Sequence, residues 1–101
     1  MANGQPSQQI NIQSDPATLR GVYANMMFVV HTPEEFVMDF MNIVPAQQQG
    51  HHVARIVTSP GHLKRIIAAL AENLKRYEAQ HGPVKAASEP PGAKEIGFRA
   101  G

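Results

Sequence analysis

Five histidines are the side chains of this sequence best suited to chemistry: His31, His51, His52, His62 and His81. Neutral imidazole is a good metal ligand, but a site needs three or four ligands converging on one point. His51 and His52 are adjacent, and in a strand neighbouring side chains point to opposite faces. His62 and His81 stand far apart in one helical segment. No His-x-x-x-His or Glu-x-x-His spacing occurs there, so that helix has no chelating pair. His31 beside Glu34 or Glu35 is the best nucleus for a metal site, and it lacks further ligands. The chain has no cysteine, which excludes thiolate ligands and disulfides. No metal-ligating residue and no cofactor are expected, and the histidines read as surface and strand-end polar groups.

Asp39 is the second residue that draws notice, because it sits between Met38 and Phe40 in an apolar run. A carboxylate withdrawn from water needs a partner. Arg55 supplies one if the strands carrying the two residues pair. Catalysis would need a second polar group converging with Asp39 in a cleft. The sequence offers no such group, and it contains no nucleophile elbow, phosphate-binding glycine loop or dinucleotide fingerprint. No catalytic or cofactor-binding residue is assigned, and an enzyme is the third-ranked reading of function.

The elements that would position these residues are legible. Ser59 is a suitable N-cap, Pro60 suits the first helical position, and Gly82-Pro83 closes the helix, with Gly82 in the left-handed conformation. Between them Leu63, Ile67, Leu70, Leu74 and Tyr77 alternate spacings of four and three, and Ile66 widens the stripe. The stripe suits packing on the domain's own sheet, and a coiled-coil seam is the second reading of the same spacing. Lys64, Arg65, Glu72, Lys75, Arg76 and Glu78 occupy the other face, with Glu72 and Arg76 forming an i,i+4 pair. Lys64 and Arg65 lie near the positive end of the helix dipole, which slightly disfavours cations.

Upstream, Gln9–Gln13 alternates polar and apolar residues and reads as a short edge strand. Ser14-Asp15-Pro16 is a turn signal. Arg20–Thr32 is the strongest strand pattern, and Thr32-Pro33-Glu34-Glu35 turns it into a second strand, Phe36–Val44. A polar loop, Pro45–Gly50, precedes a last strand that begins at His51 or His52 and ends at Thr58. The expected fold class is α+β: an antiparallel β-meander of about four strands followed by one long C-terminal helix packed on the sheet. Residues 1–8 are read as a disordered N-terminus, 9–82 as a single domain, and 83–101 as a flexible tail whose Ile96 and Phe98 could dock.

A chain of 101 residues with a formal net charge of +1 and 17% charged residues has one domain's length and no polyanion-binding footprint. The N-terminus lacks the basic-then-apolar pattern of a signal peptide, and no apolar run approaches the roughly 20 residues a membrane span needs. The expectation is a cytoplasmic protein with no membrane partner.

Several separated segments resemble a known family in the same order. They are Gly21-Val22-Tyr23-Ala24-Asn25, His31-Thr32-Pro33-Glu34-Glu35-Phe36 with Asp39-Phe40, Ala54-Arg55-Ile56-Val57-Thr58-Ser59-Pro60, and Asn73-Leu74-Lys75-Arg76-Tyr77-Glu78. The resemblance is to an uncharacterised family of short bacterial and archaeal proteins, a domain of unknown function, over about residues 9 to 84. It implies no activity and no site residues. In element order alone the chain also resembles the SecB export-chaperone fold, an antiparallel four-stranded sheet followed by a long helix that assembles as dimers and tetramers.

One feature points to assembly. Both faces of the central hairpin are largely apolar, and one helix covers one face. An apolar face left over marks an interface. Its candidates are Tyr23, Met27, Val29, Val37, Met41 and Ile43, the set depending on strand register. The expected function is that of a small oligomeric protein-binding or adaptor module, chaperone-like in character, which forms a homodimer or higher assembly and has room for a protein partner. The runner-up is a small nucleic-acid-binding regulator using Lys64, Arg65, Lys75 and Arg76 with His62 on the helix. That stripe is thin, being broken by Glu72 and Glu78, so nucleic acid ranks below a protein partner.

Overall fold

The computed structural model describes residues 8–88. Its elements are α1 (Pro16–Arg20), β1 (Met26–His31), β2 (Phe36–Val44), a 3₁₀ turn (Pro45–Gln47), β3 (Gln49–Thr58) and α2 (Pro60–His81). The three strands form one antiparallel sheet in the order β1-β2-β3. Among the described residues the fold is therefore α+β, with three strands rather than four ahead of the C-terminal helix.

The absent strand is Gln9–Gln13. This segment has no regular structure, and Ile10 and Ile12 are exposed. Its alternation fits a strand, but a strand exists only through a ladder with a neighbouring backbone. Here the segment runs into α1 instead. Asp15 caps that short helix by accepting from the Thr18 N–H at 2.8 Å, so the expected turn is an N-cap.

The first hairpin forms as its residues dictate. Thr32 N–H donates to the Glu35 carbonyl at 2.9 Å, and the Thr32 hydroxyl accepts from the backbone N–H groups of Glu34 and Glu35. β1 is shorter than its apolar pattern, starting at Met26 instead of Arg20. The reason is Asn25. Its side-chain amide donates to the Ile43 carbonyl at 2.9 Å and accepts from the Ile43 N–H at 2.8 Å. A side chain thus takes the place of the next ladder rung, and the chain before it is released from the sheet.

α2 begins and ends near the expected residues. The Ser59 hydroxyl accepts from the His62 N–H at 3.1 Å. Gly82 has φ 90° and ψ 169°, so its φ is positive as glycine allows, while its ψ is extended rather than left-handed helical. The chain therefore leaves the helix extended, and the Val84 N–H donates to Glu78 Oε2 at 2.8 Å. Arg76 and Glu72 approach to 3.9 Å as the i,i+4 spacing requires. Ile96 and Phe98, and most of the two expected tails, lie outside the described residues.

Burial is concentrated on one strand. Among the described residues the buried side chains are Met38, Asp39 and Met41, all on β2. No residue of α2 is buried. Leu63 and Ile66 are half-buried, whereas Ile67, Leu70, Leu74 and Tyr77 are 57%, 66%, 50% and 52% exposed. The helix thus keeps its apolar stripe in water rather than packing it on the sheet.

Replacing Asn25 with alanine should lower stability by roughly 1–2 kcal/mol, the worth of two neutral hydrogen bonds. Urea unfolding at fixed protein concentration measures it. An unchanged midpoint would mean that the side-chain rung carries no stability.

Candidate functional site

The polar centre of the sheet is built on Asp39. β2 lies between two partners, so Asp39 faces Phe28 of β1 on one side and Arg55 of β3 on the other. Arg55 Nε donates to Asp39 Oδ1 at 2.7 Å, and Arg55 Nη2 donates to Oδ2 at 3.3 Å. His52 Nε2 lies 2.7 Å from Oδ1. An ionised carboxylate only accepts, so Nε2 carries the proton of this bond. The Asp39 carboxyl is held below its ordinary value, first by the Arg55 hydrogen bond. Burial opposes this, and His52 adds to it. The Arg55 guanidinium is correspondingly held more basic by Asp39.

The expected Asp39–Arg55 pair is present, and the third member is new. A spacing of three places residues 52 and 55 on opposite faces of a regular strand. The register changes this. Phe40 pairs with Ala54, but Met41 pairs with His52, so Val53 is an extra residue in β3. This bulge reverses the alternation and puts His52 on the face of Arg55 and Asp39. No sequence signal marked it, because Val53 is an ordinary strand residue.

The other candidates scatter. His31 stacks near Phe36, ring centroids 5.3 Å apart, and His81 lies 4.6 Å from the Tyr77 ring. His51 pairs with Asn42, on the opposite face from His52. Among the described residues no three His, Asp or Glu side chains converge as a metal set. The Asp39 cluster ties β2 to β3 with most of the carboxylate's acceptor capacity already used. That makes it a structural clasp within an apolar face.

The remaining surface is apolar. The register divides the sheet into two faces. Met27 and Val29 stand with Phe36, Met38, Phe40, Ala54 and Ile56 on one. Met26, Phe28 and Val30 stand with Val37, Asp39, Met41 and Val57 on the other. The interface set expected from sequence is thus split between the faces. Tyr23 precedes β1, and Met41 is buried within the protomer, so neither belongs to an open sheet face. Met27, Val29 and Ile56 on the first face, and Val30 and Val57 on the second, remain about half exposed or more.

The family model described as a protein of unknown function (DUF3467) matches residues 1–86. The chain belongs to this family. The match covers the sheet, the clasp and the whole of α2. No curated protein and no solved structure matches the chain. No helix among the described residues is long and apolar enough to cross a membrane.

The lowered Asp39 value has a sign that can be tested. A carboxyl group with a depressed folded-state pKa contributes stability above its ordinary value, here 3.8. That contribution disappears as pH falls through the lowered folded-state value. Wild-type stability should therefore fall on acidification from about pH 5 to pH 2. Asp39→Asn should be less stable near neutrality and flatter across that acid range, as read from urea midpoints. Identical acid slopes in the two proteins would remove the clasp as a source of acid sensitivity.

Proposed function

We propose that this DUF3467 protein works as a small homo-oligomeric protein-binding module, an adaptor with chaperone-like character. The observation that supports this reading is uncovered apolar surface. A single protomer withdraws few apolar side chains from water, while Met27, Val29, Val30, Ile56 and Val57 on the sheet and Ile67, Leu70, Leu74 and Tyr77 on α2 stay about half exposed or more. Each Å² of apolar surface left wet forgoes about 25 cal/mol. Self-association recovers part of this, and a remaining apolar sheet face is suited to extended, apolar segments of another protein. The thin basic face of α2 gives less support to the nucleic-acid alternative, since Arg76 is already turned to Glu72.

Sedimentation equilibrium at micromolar concentration tests the assembly. The expected mass is that of a dimer or a higher even-numbered assembly. A mass of 11.0 kDa that does not rise with concentration would sink the oligomer. Light scattering from a urea-unfolded protein diluted into buffer tests the binding. The module should suppress aggregation, and Met27→Lys on the sheet face should weaken that suppression. Failure to suppress removes the chaperone-like character. A gel shift on random DNA or RNA that weakens steeply with salt would favour the nucleic-acid regulator instead.

A further inference from the structure

We infer that two copies of this chain pair through α2, lying antiparallel with Leu70 of one copy against Leu74 of the other. This inference rests on the oligomeric reading above and specifies its contact surface. The occupant is a second copy because the stripe matches itself in both shape and charge.

The shape comes from the spacing. Ile67, Leu70, Leu74 and Tyr77 alternate intervals of three and four residues, which is the a/d pattern of a two-helix seam. They are the same side chains that the structure leaves 50–66% exposed. Leu63 and Ile66, at the start of the helix, are half-buried, so the wet part of the stripe begins at Ile67. Setting Leu70 against Leu74 of the second copy sets Ile67 against Tyr77, and the two-fold axis repeats both contacts.

The charge comes from the flanks. In this register one flank carries Lys64, Ala71 and Glu78 from each helix. Lys64 then meets Glu78 of the second copy, Glu78 meets the second Lys64, and the two Ala71 residues meet at the axis. The other flank carries Ile66, Asn73 and Gln80, all uncharged. A parallel pair would place Asn73 beside Glu78 and Ile66 beside Ala71, with no ion pair, and would bring like helix ends together. Lys64 stands toward the positive end of its own helix and Glu78 toward the negative end, so the dipole disfavours both charges, although Glu78 Oε2 also accepts from the Val84 N–H of its own chain at 2.8 Å. The antiparallel partner supplies the opposite charge for both, and it opposes the two helix dipoles.

The test is a charge exchange read by sedimentation equilibrium on the full chain. Lys64→Glu replaces two attractive contacts with two repulsive ones and should weaken association about ten- to thirtyfold. Glu78→Lys should do the same. The double variant K64E/E78K restores opposite charges and should recover most of the wild-type affinity. Neither change opposes the helix dipole, and circular dichroism checks that helix content is retained. Lys75→Glu, away from the seam, should leave association unchanged, and Leu70→Lys should abolish it. An Ala71→Cys variant, the sole thiol in the chain, should cross-link to itself with a short bis-maleimide. Dimers that ignore K64E, or that K64E/E78K does not rescue, would overturn the helix seam while leaving the oligomer standing. A monomer at every concentration would overturn both.

Discussion

The described fold depends on β2 being hydrogen-bonded on both sides. Its two flanking strands are both edges, and the side chains withdrawn from water, Met38, Asp39 and Met41, all belong to it. Placing a carboxylate among these methionines would be costly if it were unpaired. Arg55 and His52 remove that cost, and they do so from β3, so the same interaction that neutralises Asp39 joins two strands. The other side of β2 is held at its far end by Asn25, whose side chain imitates a backbone rung. Polar contacts thus set the edges of a sheet that has little apolar core of its own.

The bulge at Val53 links this local chemistry to the wider surface. It keeps His52 and Arg55 on one face, so the polar groups collect around Asp39. The opposite face carries Met27, Val29, Phe36, Met38, Phe40 and Ile56, with Asn42 and His51 beyond the bulge. Bulges bend and twist the strand that carries them and commonly disrupt an exposed edge. A regular β3 would instead have sent His52 to the apolar face and left Asp39 with a single partner.

Small chains with little buried apolar surface are marginally stable as isolated units. Here the shortage is visible in the helix, whose stripe is apolar but wet. In the proposed arrangement, folding and assembly recover the same kind of free energy, and stability becomes dependent on protomer concentration. In the same proposal, the sheet face opposite the Asp39 clasp is left as the surface for an apolar segment of another protein.

The sequence by itself determined the elements whose signals are local. Ser59, Pro60 and Gly82 bounded α2, Thr32–Glu35 closed the first hairpin, and the apolar runs on either side of that turn located β1 and β2. It also paired Asp39 with Arg55, since a carboxylate in an apolar strand demands a cation nearby. Only the tertiary structure decided what depends on neighbours. Gln9–Gln13 carries strand alternation but has no ladder partner among the described residues. Asn25 ends β1 early because its side chain reaches Ile43 of another strand. His52 joins Asp39 because one extra residue, Val53, reverses the parity of β3. The stripe of α2 has the same spacing whether it meets a sheet or water. Periodicity shows that a face is apolar, whereas its cover depends on where the rest of the chain lies.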